Sequence, residues 1–340
     1  MSRSRSRSGR RSGLGFAVAG RPARGIFARA AGLAAAALAG FVLAGCGLGP
    51  GEGTGDASLL VTRDYGTEVL VDEPEMAVNE SSNAMRLLDE TADLETTYGG
   101  EYVQSVDGLS GGNDGGRSFD WFFSVNGIVA ERGSAQFPIA GGDTVWWDFR
   151  DWTDAMEVGA VVGQYPAPFL EGYDDRDWGV EVECHGDRTA CGMVEGQLRE
   201  AGVDLEDTGK NMRLVVGTWD ELLDTPEGRR LDSGPSASGV FASFETSTVE
   251  GGSGPPPSRG DGKTTSLVGL DVRGEAGHVY EGDAGLVAAM RRGEDPPVWL
   301  VTGTTDRGVR LAAAALTPED LERRYAAVVH DGRVGSLPVL

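Results

Sequence analysis

At 340 residues the chain has room for two hydrophobic cores of ordinary size. Forty per cent apolar and 24% charged residues mark a globular chain, not a disordered or collagen-like one, despite 53 glycines. Thirty Lys plus Arg against 53 Asp plus Glu give a formal charge of -23, which argues against a nucleic-acid partner held through its phosphates.

Residues 1–45 carry eight arginines and no acid, and end in an apolar run from Ala30 to Ala44. The run is shorter than the roughly twenty residues that a membrane-spanning helix needs, so it reads as the core of a signal peptide. Leu43-Ala44-Gly45-Cys46 follows, which resembles the bacterial lipobox. The expectation is a signal peptide over 1–45, a lipid on Cys46, a flexible tether over 46–56, and a body at the extracytoplasmic face of the cell membrane. All 53 acids lie beyond the leader, so anionic head groups repel the body and attachment depends on acyl chains. Arg10-Arg11 leaves Sec and twin-arginine export both open.

Cys184 and Cys191 are the two remaining cysteines, an even number expected to form a disulfide outside the cytoplasm. The bond would pin the end of a strand to the start of a helix. A metal site using His185 is disfavoured, because no CxxC pair exists and His278 and His330 are distant in sequence.

From Ala57 the pattern predicts a hairpin, Ser58–Arg63 and Thr67–Val71, turned by Asp64-Tyr65-Gly66. Ser81-Ser82 supplies caps for a helix from Asn83 to about Thr91, with Ala84, Leu87 and Leu88 on one face. A strand over Tyr102–Val106 and a loose stretch over Gly108–Gly116 come next. Phe119, Trp121, Phe123 and Val125 then alternate along one strand, and Asn126-Gly127 suits a type I′ turn. Val145, Trp147 and Phe149 alternate along another, after Gly141-Gly142-Asp143. Phe122, Trp146 and Trp152 are the large aromatics left over. They either pack against the rest of the chain or form a ligand or partner surface.

Residues 57–153 resemble the transcobalamin C-terminal-like β-grasp domain, which recurs in bacterial surface lipoproteins with no assigned function. The resemblance rests on Val78–Leu88, on Trp121-Phe122-Phe123-Ser124-Val125-Asn126-Gly127 and on Gly142-Asp143-Thr144-Val145-Trp146-Trp147. It implies a domain able to contact a flat, cobalamin-like ligand. In the vitamin carriers a helical barrel forms the other half of the clamp, and none is recognisable in this sequence.

A connector over 154–178 contains the acidic cluster Asp174-Asp175-Arg176-Asp177, which lacks calcium-loop spacing and reads as a solvated turn. Residues 179–340 are expected to form an α/β domain, giving the chain an α+β fold class. Strand to Cys184, helix Thr189–Ala201, strand Arg213–Gly217 and helix Trp219–Arg229 lead to a strand Val240–Phe244. Thr218 and Glu221 make a capping box. A Gly/Pro/Ser-rich flexible loop spans 250–263. The order then repeats: strand Ser266–Val272, helix Asp283–Arg292, strand Val298–Thr302, helix Thr305–Leu316. Leu214–Asp220 echoes Leu300–Asp306, suggesting a tandem duplication of 179–245 and 266–330. Carboxylates at Asp220 and Asp306 suit self-capped helix starts better than anion sites. A closing helix after Thr317-Pro318 should turn Leu321, Tyr325 and Val328 inward.

No enzyme signature emerges. Gly262-Lys263-Thr264 lacks the first glycine of a phosphate loop, since Pro257 stands there. Gly234-Pro235-Ser236-Ala237-Ser238 misses the last glycine of a nucleophile elbow. The expectation is therefore a non-catalytic lipoprotein without metal or catalytic cofactor. It would bind a ligand or partner, as an accessory to uptake of a cobalamin-like nutrient beside a transporter. The alternative is a structural lipoprotein docked on an envelope protein with no small-molecule ligand.

Overall fold

In the computed structural model, β1 (Gly53–Arg63) and β2 (Glu68–Asn79) form a long antiparallel hairpin. The structure describes residues 53–248 and 263–340. The expected signal peptide, Cys46 and nearly all of the 250–263 loop lie outside the described residues. β1 takes over the last four residues of the expected tether, Gly53 to Asp56. Asp64, Tyr65 and Gly66 turn the hairpin with φ of 56°, 58° and 82°.

α1 (Ala84–Asp89) is capped by Asn83, whose side chain accepts from Arg86 N, and buries Ala84, Leu87 and Leu88. The short strands β3 (Leu94–Thr97), β4 (Tyr102–Val106) and β5 (Leu109–Ser110) form a separate meander. β6 (Gly112–Asp114), β7 (Arg117–Val125), β8 (Ile128–Val129) and β9 (Thr144–Asp151) then complete the first sheet, in the order β2-β1-β9-β7-β6 with β8 on β7. β1 and β9 are parallel, with Val61 opposite Trp147, and β7 runs antiparallel to β9, with Phe123 opposite Trp147. Asn126 and Gly127 turn the β7–β8 hairpin at φ of 50° and 75°, as a type I′ turn requires.

The alternation divides β9 between two cores. Val145, Trp147 and Phe149 join Trp121, Phe123, Leu59 and Val61 in one cluster, while Trp146 joins another with Tyr65, Trp219, Phe241 and Leu286. Seven of the eight β9 residues are buried, so this sheet is covered on both faces along its central strand. Residues 57–153 and 179–340 share these clusters, and the described residues form one compact unit. The connecting segment is itself packed: Val161 N donates to Gly127 O, and α2 (Ala167–Leu170) buries Ala167 and Phe169.

The second large sheet begins with β10 (Gly179–His185), α3 (Arg188–Glu200) and β11 (Asn211–Thr218). Three short helices follow: α4 (Trp219–Leu222), α5 (Pro226–Asp232) and α6 (Pro235–Ser238). β12 (Ala242–Thr248), β13 (Lys263–Leu270) and β14 (Ala276–Tyr280) form a three-stranded sheet. β15 (Ala284–Met290), β16 (Val298–Gly303), α7 (Asp306–Ala314), α8 (Pro318–Leu321), β17 (Ala326–His330) and β18 (Arg333–Leu337) end the chain. The sheet order is β10-β11-β16-β15-β17-β18, with β10, β11 and β16 parallel and the later pairs antiparallel. α7 seats closely on β15 and β16: a Cβ on Gly308 would lie 2.2 Å from Ala284 O.

The fold is mostly β-sheet, with 43% strand and 20% helix among the described residues, and this overturns the expected α+β class with its α/β second domain. The helix expected over Asp283–Arg292 is strand β15. All seven residues of β15 are buried, so it has no alternation, and a short apolar run rich in Ala and Gly cannot be told from a buried helix by period. The expected helix Trp219–Arg229 is broken into α4 and α5, where Thr225 caps a new start with Pro226 at its first position. The closing helix is one turn, so Leu321 is buried from α8 but Tyr325 follows it and Val328 lies on β17. The two halves therefore do not repeat one order of elements: α3 separates β10 from β11, whereas five strands in succession, β12 to β16, precede α7.

Candidate functional site

A cleft of about 260 Å³ lies against β7 and β9, lined by Tyr102, Val103, Trp121, Phe122, Phe123, Val129, Ala130 and Trp147 with Glu101, Glu131, Arg132, Gly133 and Ser134. Its aromatic character follows from the alternation, which sends Trp121, Phe123 and Trp147 to the same face of adjacent strands. Phe123 and Trp147 stack with ring centroids 4.8 Å apart. Trp121 Nε1 donates to Leu109 O at 2.9 Å, whereas the buried indole N–H of Trp147 has no acceptor among the described residues. A buried indole normally finds a partner, so Trp147 carries an unused donor within an apolar lining. Burial, and then the neighbouring Asp120, pushes the Tyr102 hydroxyl far above its usual range, so it stays protonated. Arg132 lies over the Phe137 ring at 4.7 Å and pairs with Asp174. The arrangement offers a planar apolar group aromatic surfaces and a few polar contacts.

The three aromatics singled out as a ligand or partner surface are placed differently. Trp146 is 2% exposed, packs edge-on against Tyr325 at 5.2 Å, and donates from Nε1 to Thr62 Oγ1 at 2.8 Å. It is an internal joint and not a surface, because the later half of the chain covers this face of β9. Phe122 is half-buried, and the guanidinium of Arg150 sits 4.0 Å from its ring centroid. Trp152 is half-buried as well, with an unpartnered indole N–H. Of the three, only Phe122 lines the cleft. Trp121, Phe123 and Trp147, which alternate along their strands, are all buried. The same alternation that placed them inward is the signal for the cleft floor.

Behind Trp146 lies a buried polar network that joins the two halves. Asp148 Oδ1 accepts from Thr62 Oγ1 at 2.6 Å and Gly66 N at 3.2 Å, and Oδ2 accepts from Tyr65 N at 3.1 Å and Tyr325 Oη at 2.9 Å. Burial pushes its carboxyl up to about 6, against the pull of those donors and of Arg150. Burial likewise pushes the Tyr65 hydroxyl up to about 12. Arg150 is 1% exposed, donates to Ala155 O at 3.2 Å, and faces the rings of Phe122, Tyr65 and Tyr325. All four donors to the Asp148 carboxylate come from the chain itself and tie the two halves together, while Arg150 Nε and Nη2 are buried without a hydrogen-bond partner among the described residues.

The remaining expected sites resolve as structural features. Cys184 at the end of β10 is bonded to Cys191 in α3, with Cα atoms 6.0 Å apart. His185 Nε2 contacts Glu183 Oε1 at 2.6 Å, and Glu183 also accepts from Arg213, bonds that outweigh burial and hold its carboxyl below the usual range. Asp174 and Asp175 turn the backbone at φ of 53° and 57°. Thr218 and Glu221 form the capping box read from the sequence, and Thr305 caps α7 while donating to Asp283. Ser238, in the Gly234–Ser238 run, donates to Gly234 O at 2.9 Å. Cys46 lies outside the described residues.

Residues 81–151 match the family model described as a domain of unknown function (DUF4430). This domain belongs to the transcobalamin-like C-terminal family. The match covers α1 through β9 and so contains every lining residue of the cleft. A search of the curated proteins found no match to the chain.

Proposed function

We propose that the protein is a non-catalytic binding module tethered by lipid on Cys46 to the extracytoplasmic face of the cell membrane, and that its DUF4430 domain takes a flat organic ligand in the aromatic cleft. The observation that carries this reading is the unpartnered Trp147 indole N–H in a lining dominated by Tyr102, Trp121, Phe122 and Phe123. The family relationship and the ligand chemistry agree, since the lining suits planar rings with few polar groups. A corrinoid or a related macrocycle is the ligand class favoured, held as an accessory to uptake beside a transporter. The cleft is smaller than such a ligand, so it would grip one edge and leave the rest to a partner. The basic leader, the lipobox-like Leu43–Cys46 and the disulfide support the location.

Tryptophan fluorescence titrated with cobalamin, cobinamide and haem tests the binding. Saturable quenching that weakens in Trp147→Phe supports it. No response to any of the three removes the vitamin reading and leaves a structural role, for which crosslinking in intact cells should recover one stoichiometric envelope partner. Mass spectrometry of protein purified from its own membrane tests the tether: an acylated amino-terminal Cys46 is expected, and Cys46→Ser should release the body.

A further inference from the structure

A second cleft, of about 730 Å³ and sharing no lining residue with the first, concentrates arginine. Arg213, Arg229, Arg230, Arg291 and Arg292 all line it, five of the 30 basic residues of a chain whose net charge is -23. They come from three separate segments: β11, α5, and the two residues that directly follow β15. Sheet pairing sets Arg213 opposite Val298 and Val298 opposite Met290, which brings the start of β11 and β16 to the end of β15. α5 supplies Arg229 and Arg230 to this edge.

The five are not equally committed. Arg213 is neutralised by Glu183 and Glu227, and Arg291 reaches Glu131 at 3.3 Å. Arg229, Arg230 and Arg292 have no carboxylate in ion-pair contact among the described residues. Arg230 is fixed in place by two backbone carbonyls, Ala237 O at 2.9 Å from Nε and Arg291 O at 2.7 Å from Nη2. Arg229 donates to Asp224 O, and Arg292 is exposed, with only its backbone carbonyl hydrogen-bonded, to Asp295 N, among the described residues. Burial, and then the charge of Arg292, pulls the Arg230 guanidinium below its usual range, with Glu157 only partly offsetting this. Five guanidinium groups thus face three lining carboxylates, Glu157, Glu227 and Asp295, and Glu227 is already paired with Arg213, so the cleft keeps a positive excess that an anion from outside the chain would neutralise.

We propose that this cleft is a binding site for a small organic anion carrying two or more negative charges on oxygen, a phosphate ester or a polycarboxylate. Arg230 is the preorganised fork, and Arg229 and Arg292 close on the same anion from α5 and from the residues that follow β15. Guanidinium forks match the planar and bidentate geometry of such oxyanions. Met290, Val298 and Pro296 give an apolar wall for the carbon skeleton, and the volume suits a metabolite-sized molecule. An acidic polymer is disfavoured, because Glu157 and Asp295 line the cleft and the body as a whole repels it.

Isothermal titration calorimetry of the full chain with pyrophosphate and with citrate, at matched ionic strength, tests the site. Saturable binding of at least one probe is expected, and their relative affinities separate phosphate from carboxylate recognition. Arg292→Gln and Arg229→Gln, both at exposed positions, should each weaken binding about tenfold, or about 1.4 kcal/mol. Arg230→Gln should weaken it further, with circular dichroism to check its fold. Arg307→Gln, outside the cleft and 72% exposed at its side chain, should leave the affinity unchanged. Absence of saturable binding by both probes overturns the proposal. So does equal weakening by Arg307→Gln, which would mean attraction to surface charge alone.

Discussion

Tyr325 Oη donates to Asp148 Oδ2 at 2.9 Å across 177 positions of sequence, and both side chains are buried. The bond ties the segment before β17 to the central strand of the first sheet. Around it, Tyr65 packs edge-on against both Tyr325 and Phe241, and Trp146 against Tyr325. The two halves of the chain are thus held by a mixed polar and aromatic joint, and a change at one residue should be felt as loss of global stability.

Tyr325→Phe should destabilise the protein by about 1 to 3 kcal/mol, since it leaves one oxygen of a buried carboxylate short of a donor. It should also move the Asp148 carboxyl further up, because the Tyr325 bond is one of the influences holding it down. Urea unfolding at neutral pH measures the first effect. An unchanged midpoint would show that the bond contributes nothing.

The Asp148 carboxyl lies at about 6 in the folded protein against 3.8 for the free side chain. The folded state binds this proton more tightly than the unfolded state between those values. Its contribution is therefore full below about pH 4 and is lost as the pH rises through 6, a difference on the order of 3 kcal/mol. Asp148→Asn cannot titrate. The stability of the native protein minus that of the variant should fall as pH climbs from about 4 to 7, read from urea curves at each pH. A flat difference would show that burial does not hold the proton.

Reducing the Cys184–Cys191 bond, or replacing both residues by Ser, should cost about 2 to 3 kcal/mol, the amount expected for so short a closed loop. Denaturation with and without reductant reads the cost directly, and the double variant should show none of the reductant effect.

Two glycines in helices should respond with opposite sign to alanine. Gly308→Ala drives a Cβ against Ala284 O and should cost about 1 to 3 kcal/mol. Gly192→Ala, within α3 and with nothing in reach of the new methyl group, should stabilise by about 0.5 to 1 kcal/mol. Thermal unfolding of the two variants side by side would reveal any failure of this contrast.

Several features were legible in the sequence because they are local. The alternation of Trp121, Phe123 and Val125, the Asn126-Gly127 turn, the Thr218–Glu221 capping box and the α1 face of Ala84, Leu87 and Leu88 each depend on residues a few positions apart. The Cys184–Cys191 bond was readable from parity and spacing. β15 was not readable, since burial on both faces erases the period that would distinguish it from a helix. The arginine cleft was not readable either: Arg229-Arg230 and Arg291-Arg292 stand as pairs, but so does Arg323-Arg324 outside the cleft, and convergence depends on sheet order.

By itself the sequence determined the inward and outward sides of the first sheet, its turns, the caps and the cysteine pairing, because backbone sterics and hydrophobic period act over short distances. Only the tertiary structure decided that the outward side of β9 is also covered, turning Trp146 from a surface aromatic into an internal joint. It likewise decided which arginines meet. Both outcomes depend on which sheet packs on which, a matter settled by burial summed over the whole chain.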